Sequence, residues 1–495
     1  MTARMTMSKL LLLLAEIIAF AILGVVASNH FGLGDGLRIT LGYLVAYLVP
    51  YIILRNARDS SMAAQVILLV LTVFLMFVGY SNMVVWSGFD GYSLEMPNLK
   101  GDARGYYKWA LSHYDGRVPT PNLAFPGFPL IMLNLWRVLG VHVVWPLVMN
   151  TMFTLISVVL TGMTCRRLLV HRVRASGATL LCGGMFVMCL LCYYLMTGIA
   201  VLKEGSIYLS TSLIGFVLSS MAACDEERHH LWRELLLFFL ACLLMAIVRT
   251  TYLYFMLVGV VIMALSHWRR DWGFALAMIS IIAIAFIAGN YYASYSFDRH
   301  AEIVGGGWNM QRFFPMDGPQ RPYRYMVDYY YLYSPWHKLL LLPLTMSVQF
   351  VAPFPWLAVE EPTIASEICR ITYGWYFVGC VALFYYLFLS WRRNENMGLW
   401  AWWPAVSYAV LAYVVAGSVS RYLLPIEPLF IPIVLFVLCR LHEGHWRKCF
   451  KGWSIFFVIL LIVTLLICLE LERGVFSQAF HTRPLLDYLR TTFMR

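Results

Sequence analysis

Asp102 is the first residue whose type and position could do chemistry. It follows Gly101 in the stretch GDARGYYKWAL, part of a polar, turn-rich segment that separates two apolar runs. A carboxylate within hydrogen-bond reach of a hydroxyl can remove the hydroxyl proton during a reaction. The same stretch also fits a surface helix that begins with an acidic cap. From these residues alone, a catalytic and a structural interpretation of Asp102 both stay open.

Lys203 and Glu204 are adjacent at a predicted turn between two further apolar runs. Ionisable groups close to membrane depth are costly and are often functional. Successive residues on a helix point about 100° apart, so the two side chains need not act together. An acid at the start of a helix also offsets the helix dipole. Glu204 is therefore a candidate catalytic acid and, equally, a candidate helix-start residue.

A polar segment, residues 305–338, combines arginines with many aromatic residues. The guanidinium groups of Arg312, Arg321 and Arg324 could hold phosphate or pyrophosphate oxygens. The aromatic rings could stack on sugar faces, or they could form the aromatic belt that membrane proteins place at the headgroup level. Its glycine triplet is not a dinucleotide fingerprint, and no phosphate-loop, zincin or serine-hydrolase motif occurs in the chain.

Membrane helices are the elements that must position these residues. Of the 495 residues, 61% are hydrophobic and 13% are charged, against about half and about a quarter in an ordinary soluble domain. Runs of roughly 17 to 25 apolar residues can cross about 30 Å of hydrocarbon. They predict an all-α polytopic membrane protein with about thirteen spans. These lie at 9–28, 38–54, 64–86, 141–164, 176–196, 205–223, 234–250, 251–267, 272–291, 371–391, 399–417, 422–440 and 453–472.

The net charge of +11 reports topology rather than nucleic-acid binding, because the Lys and Arg residues lie mainly just outside the apolar runs. With a cytoplasmic N-terminus, the basic connectors fall on the inner side, as the positive-inside rule expects. Two large loops, 87–140 and 292–370, then lie outside. Residues 127–139 and 338–357 are apolar but short or broken by prolines, so we expect them to lie at the interface or to re-enter.

Four segments of the chain occur in an order that is typical of one enzyme family. Asp102 is followed by two tyrosines and by AFPGFPLIMLNLWRVLG. Later come YYLMTGIAVLKEGSIYLSTSLIGF, AIVRTTYLYF and GSVSRYLLPIEPLFIPI. This order resembles the GT-C glycosyltransferases, which take sugars from polyprenyl-phosphate donors and include the protein O-mannosyltransferase and aminoarabinose-transferase groups. In many members the acidic loop follows the first span, whereas here it follows the third, so residues 1–63 would be an added pair of helices.

The resemblance implies a role for each candidate residue. Asp102 would be the general base, with Glu204 as a second catalytic acid. The donor phosphate would contact Arg421, Arg249 and Lys203. The substrate-binding residues would be Tyr106, Tyr107, Arg312, Arg321, Arg324 and Tyr422. For the arginines Arg421 and Arg249, snorkelling to lipid headgroups is the alternative.

The resulting expectation is an inverting membrane glycosyltransferase in a bacterial inner membrane, with its site facing the periplasm. Residues 1–472 would form one integral membrane domain, and 473–495 a short tail. The partners would be a polyprenyl-phosphate-linked sugar, a glycan, lipid or protein acceptor, and membrane lipids. No cofactor is expected, and no metal, because Asp90, Glu95 and Asp102 lack a DxD spacing. The alternatives are an O-antigen or exopolysaccharide polymerase and a lipid-linked saccharide flippase.

Overall fold

Every regular element in the described part of the computed structural model is a helix. The structure describes residues 7–99, 101–116, 127–190, 200–222, 231–249, 252–266, 272–292, 396–414 and 426–445, with the isolated residues 451, 454 and 458. The chain divides into two compact units, Met1–Ser296 and Phe297–Arg495, and each is described by itself. The all-α class predicted from the apolar runs is confirmed for the described residues.

The described part of the first unit contains eleven helices. They are α1 (Met7–Phe31), α2 (Leu33–Arg55), α3 (Met62–Ser87), α4 (Gly101–Tyr114), α5 (Gly127–Leu139), α6 (Val144–Leu169), α7 (Gly177–Cys189), α8 (Glu204–Ala222), α9 (Leu231–Arg249), α10 (Leu253–Ser266) and α11 (Trp272–Tyr292). The second unit contributes α12 (Asn396–Val414) and α13 (Glu427–Arg440), followed by a π-helical turn over Leu441–His445.

Four of these helices, α1, α2, α3 and α6, are long and apolar enough to cross a membrane. The remaining predicted spans are largely helical where the structure describes them, but they are shorter or less completely described. The predicted spans 371–391 and 453–472 lie outside the continuously described residues. Helices α4 and α5 occupy the polar loop, where the sequence predicted a surface helix and an interfacial segment.

Several helix boundaries follow from local chemistry. The Ser61 and Ser176 hydroxyls accept hydrogen bonds from the backbone N–H groups of Ala64 (3.3 Å) and Thr179 (3.2 Å), which caps α3 and α7. Helix α5 ends at Gly140, whose φ of 83° is the left-handed conformation that favours glycine. The chain can therefore turn directly from α5 into α6.

Helix α6 forms the centre of the first unit. Most of its side chains are buried, and it packs against α2, α7 and α8. Helix α1 lies at the periphery, where most of its leucine and isoleucine side chains are exposed. It is fastened to α2 by the Tyr47 hydroxyl, which donates to the Glu16 carboxylate at 2.5 Å. Glu16, an ionisable residue inside the predicted span 9–28, is therefore paired with a polar partner.

We name the two ends of the first unit after a residue at each. The Lys203 end is where α6 and α8 begin, and the Arg166 end is where α6 ends. At the Arg166 end, the Arg166 guanidinium donates to Asp59 at 2.6 Å. Arg167 donates to the Phe216 carbonyl at 2.9 Å, lies over the Phe216 ring, and pairs with Glu234 at 3.4 Å. Both arginines directly follow the predicted span 141–164, where the sequence predicts a basic connector. The structure instead buries them in the last turn of α6.

The second unit is held together locally by its tryptophans. The Trp400 indole N–H donates to the Leu429 carbonyl at 3.1 Å, which joins α12 to the first turn of α13. Trp400 and Trp403 meet edge to face at 5.3 Å. Glu427 is buried at the start of α13.

Candidate active site at the Lys203 end

Tyr106 of α4 lies above the turn that precedes α8. The Lys203 Nζ is 5.8 Å from the centre of the Tyr106 ring, within the range of a cation–π contact. On its other side, the Tyr106 ring meets the edge of Phe128 from α5 at 5.7 Å. Two segments nearly a hundred residues apart in the sequence, both predicted to hold site residues, are thus in direct contact.

Lys203 lies at the amino end of α8. Its carbonyl accepts hydrogen bonds from Ser206 N–H (3.1 Å) and Ile207 N–H (3.4 Å). A lysine side chain here adds a positive charge to the positive end of the helix dipole. Helix amino ends with unsatisfied N–H groups favour anions such as phosphate. Since Lys203 is also only 6% exposed, the arrangement favours an anionic ligand.

Glu204 occupies the first turn of α8, as the helix-start interpretation requires. It is 4% exposed, and its Oε2 has no hydrogen-bond partner among the described residues. No ion pair in the described part of the chain joins it to Lys203. Glu204 Oε2 is therefore available to accept a hydrogen bond from a ligand, which a purely structural helix-start acid does not need.

Asn150 of α6 shapes the turn that carries Lys203. Its Nδ2 donates to the carbonyls of Ala200 (2.7 Å) and Leu202 (2.8 Å). Its Oδ1 lies against Gly205, where a Cβ would come within 2.7 Å of this oxygen. The sequence analysis gave Asn150 no role. Its position two turns into an apolar helix was the available signal, because polar side chains in membrane helices usually have a specific partner.

The amino end of α5 packs against the last turn of α9. This contact joins α9 to the layer formed by α4, α5 and the Lys203 turn. A Cβ on Gly127 would lie 1.8 Å from the Ile247 carbonyl oxygen, so only glycine permits this approach. Arg249, the last residue of α9, follows two positions later and stacks over the Tyr252 ring at 4.6 Å. Through Gly127 and Phe128, the arginine-bearing end of α9 is connected to α4 and to the Lys203 turn.

Asp102 is exposed in the first turn of α4. The helix required by the alternative interpretation of this stretch is present. Asp102 and Tyr106 are four residues apart, so they share one face of α4, and roughly 6 Å of helix rise separates them. The candidate base therefore lies one turn beyond the residue that contacts Lys203, at the solvent-facing edge of the layer.

Tyr107 anchors α4 and does not contact the Lys203 turn. Its hydroxyl donates to the Glu95 carbonyl at 2.8 Å, and its ring packs on Trp136 at 4.7 Å. Burial, together with the nearby Glu95 charge, raises the pKa of the Tyr107 hydroxyl. Tyr107 was predicted to bind substrate, and these contacts give it a structural role in holding α4 against α5.

His142 belongs to a polar cluster at the same end that the sequence analysis missed. Its Nδ1 accepts from the Val144 N–H at 3.1 Å, and its Nε2 lies 3.6 Å from the Asp35 carboxylate, which also binds Arg38. Burial lowers the pKa of His142 to about 4, a net value that includes the opposing effect of the Asp35 carboxylate and a smaller lowering by the Arg38 charge. No pattern in the sequence around His142 indicates that its partner is the distant Asp35 carboxylate.

Five predicted site residues lie outside the described part of the structure: Arg312, Arg321, Arg324, Arg421 and Tyr422. Their assigned roles stay predictions. Within the described residues, no group of three or more His, Cys, Asp or Glu side chains is arranged to hold a metal ion. The predicted residues that the structure brings together are therefore Tyr106, Lys203 and Glu204, with Asp102 and Arg249 on the adjoining helix ends.

Comparison of the chain with family models, curated proteins and solved structures found no match. The resemblance to GT-C enzymes thus rests on the segments quoted above.

Proposed function

We propose that the protein is a membrane glycosyltransferase that takes its sugar from a polyprenyl-phosphate or polyprenyl-pyrophosphate donor. The observation that supports this most is the buried Lys203 at the amino end of α8, beneath Tyr106 and next to Glu204. An ammonium and a helix amino end together favour a phosphate. The aromatic face of Tyr106 would stack on a sugar ring, and the neighbouring acids would accept hydrogen bonds from hydroxyls of the sugar and the acceptor.

In the proposed reaction, the acceptor hydroxyl oxygen attacks the anomeric carbon of the donor sugar. Asp102 removes the hydroxyl proton as the new C–O bond forms. The bond between the anomeric carbon and the phosphate oxygen breaks, and its electron pair leaves with the phosphate. One displacement of this kind inverts the configuration at the anomeric carbon. Lys203 and Arg249 stabilise the charge that grows on the departing phosphate.

Glu204 is proposed as the second acid of the site. Its unpartnered oxygen can accept a hydrogen bond from a hydroxyl of the bound acceptor or donor sugar. A hydroxyl donor would satisfy the buried carboxylate at that oxygen. Glu204 would then orient the substrate, while the exposed Asp102 exchanges its proton with solvent after each turnover.

The proposed topology has about thirteen membrane spans, one integral membrane domain over 1–472, and a cytoplasmic N-terminus. The Lys203 end would face the periplasm of a bacterial cell, and the Arg166 end the cytoplasm. Exposed Arg55, Arg58 and Arg174 at the Arg166 end support this orientation through the positive-inside rule.

The test is transfer by the purified full-length chain in lipid vesicles, with a panel of polyprenyl-phosphate and polyprenyl-pyrophosphate sugars and a membrane extract as acceptor source. Release of the polyprenyl phosphate and labelling of the acceptor are measured together. The wild type should turn over at least one donor, and Asp102→Asn should lower kcat by about 10² or more. Asp115→Asn, at the other end of α4's exposed surface, is the matched control and should retain activity. Equal rates in all three proteins would remove Asp102 from the mechanism.

Translocation of a lipid-linked saccharide is a second candidate, favoured by the interface between α6 and α8. Hydroxyl side chains line both helices there, and Thr161 and Ser212 meet across it at 3.5 Å. The interface runs from Glu204 at one end to the Arg167–Glu234 pair at the other. Movement of labelled donor across the vesicle membrane without release of polyprenyl phosphate would support a flippase over a transferase. A polymerase would instead lengthen the donor's own saccharide.

A further inference from the structure

An open groove lies between α3 and α7 on the outer surface of the first unit, at the Arg166 end. The volume of the groove is about 490 Å³, and most of its lining residues are small and apolar. Its larger side chains are those of Ile67 and Phe186. Ala178 and Cys182 form part of one side, Ile67 part of the other, and Phe186, 54% exposed, closes the lower end. The Ser61 hydroxyl, 3.1 Å from the Cys182 sulfur, marks the upper end.

The groove fits within one leaflet of a bilayer. Both helices begin at the Arg166 end and run in the same direction from their serine caps. On α7 the lining extends from Ala178 to Phe186, which corresponds to roughly 12 Å of helix. Half of the hydrocarbon core is about 15 Å thick. Since α3 is long and apolar enough to cross a membrane, the medium that contacts the groove is lipid hydrocarbon.

The upper end of the groove is electrostatically positive. The amino ends of α3 and α7 both lie at this end of the groove, with the Ser61 cap of α3 level with Cys182 in the second turn of α7, and both dipoles point their positive ends towards it. Arg58 and Arg174 are exposed within three residues of the two caps. The nearby carboxylate of Asp59 is bonded to Arg166 at 2.6 Å. An occupant of this groove therefore meets positive charge at the membrane surface and apolar side chains below it.

We propose that the groove binds one acyl chain of an anionic phospholipid of the bilayer, with its phosphate at the Ser61 and Ser176 end. A zwitterionic lipid fits the apolar part equally well, but it brings a cationic group to the positive mouth. The site is independent of the proposed transferase function, because it lies at the opposite end of the unit from Lys203.

The test is native mass spectrometry of the full chain, released from mixed micelles that contain equal amounts of phosphatidylglycerol and phosphatidylcholine with the same acyl chains. The wild type should retain one phosphatidylglycerol, several-fold in preference to phosphatidylcholine. Ala178→Trp fills the groove and should abolish that retention. Val70→Trp places the same bulk at an exposed α3 position, 62% exposed and outside the groove, and should behave as wild type.

A second variant addresses the headgroup. Arg58→Gln combined with Arg174→Gln removes both exposed positive charges, and the preference between the two lipids should fall to about equal. Unchanged retention in Ala178→Trp, or equal retention of both lipids by the wild type, would overturn the proposal. A dimer that Ala178→Trp abolishes would assign the groove to a second copy of the chain instead. If Ala178→Trp does not fold, as judged by its melting temperature, the arginine variant decides.

Discussion

Lys203 and Tyr106 are in contact, with the lysine Nζ 5.8 Å from the ring centre. Through this contact, α4, which carries Asp102 in its first turn, lies against the turn that precedes α8, and Glu204 is the first residue of α8. The two acids proposed for catalysis therefore belong to adjacent elements of one layer, although 102 positions separate them in the chain.

Removing the Tyr106 ring should weaken donor binding. A cation–π contact contributes about 0.5 to 2 kcal/mol, so Tyr106→Leu should raise the KM for the donor by roughly 2- to 30-fold. Tyr106→Phe keeps the ring and should leave the KM within about two-fold of wild type. Steady-state kinetics with a polyprenyl-linked donor measure both. If the Phe and Leu variants raise the KM equally, the hydroxyl and not the ring is responsible.

Glu204→Gln should lower kcat by about 10² and change the melting temperature little. The reason is that Glu204 Oε2 has no hydrogen-bond partner to lose among the described residues. Activity and thermal unfolding are measured on the same preparation. A variant that melts early and keeps its specific activity would make Glu204 a structural helix-start residue.

Breaking the buried Arg167–Glu234 pair at the Arg166 end should lower the melting temperature rather than kcat. Glu234 accepts from Arg167 and from the Ser220 hydroxyl at 2.7 Å, so Glu234→Leu leaves a buried arginine without its carboxylate. We expect a loss of about 3 to 5 kcal/mol in stability, seen as a lower melting temperature. The double variant Arg167→Met with Glu234→Leu should recover much of it. No recovery would show that the Phe216 contacts, and not the ion pair, dominate.

Gly127→Ala should separate α5 from α9, because the added Cβ would lie 1.8 Å from the backbone oxygen of Ile247. A backbone group cannot rotate away, so the helices must move apart and disturb the layer that holds Tyr106. We expect both a lower melting temperature and reduced activity. Gly34→Ala is the control, since no heavy atom lies within 4 Å of a Cβ there. Equal melting temperatures for the two variants would contradict the close approach.

His142 should make the protein less stable in acid. Burial lowers its pKa from 6.5 to about 4, so between these values the unfolded chain binds a proton that the folded chain does not. This contribution to stability is complete above pH 6.5 and is lost as the pH falls towards 4, by about 3 kcal/mol in all. Melting temperatures measured across this range should fall less in His142→Asn, whose amide can still accept from Val144 N–H. A parallel fall in both proteins would exclude His142.

The sequence predicted the helices well where an apolar run is flanked by polar residues. Helices α1, α3 and α11 begin and end within about three residues of the predicted spans. It could not predict the depth of Arg166 and Arg167. In the sequence the two arginines have the same pattern as any basic connector after a span. Their burial depends on ion pairs with Asp59 and Glu234, which are distant from them in the sequence.

Among the candidate site residues, Asp102, Lys203 and Glu204 were predicted as ionisable residues between apolar runs, and Tyr106 from the family resemblance. The sequence did not separate Tyr106 from Tyr107. They are neighbours of the same type, but about 100° of helix rotation directs one to Lys203 and the other to Trp136. Asn150 and His142 were missed because their hydrogen-bond partners are backbone groups, which every residue carries.

The sequence by itself determined that this is a helical membrane chain, because the cost of exposing apolar side chains to water and backbone groups to lipid leaves few other structures. It also determined which polar residues fall between the spans. Only the tertiary structure decided which of these residues meet. The contact of Lys203 with Tyr106 depends on the close passage of Gly127 beside Ile247 and on the Asn150 side chain that holds the Leu202 carbonyl. Such contacts arise between helices that are distant in sequence, and no local pattern of residues encodes their approach.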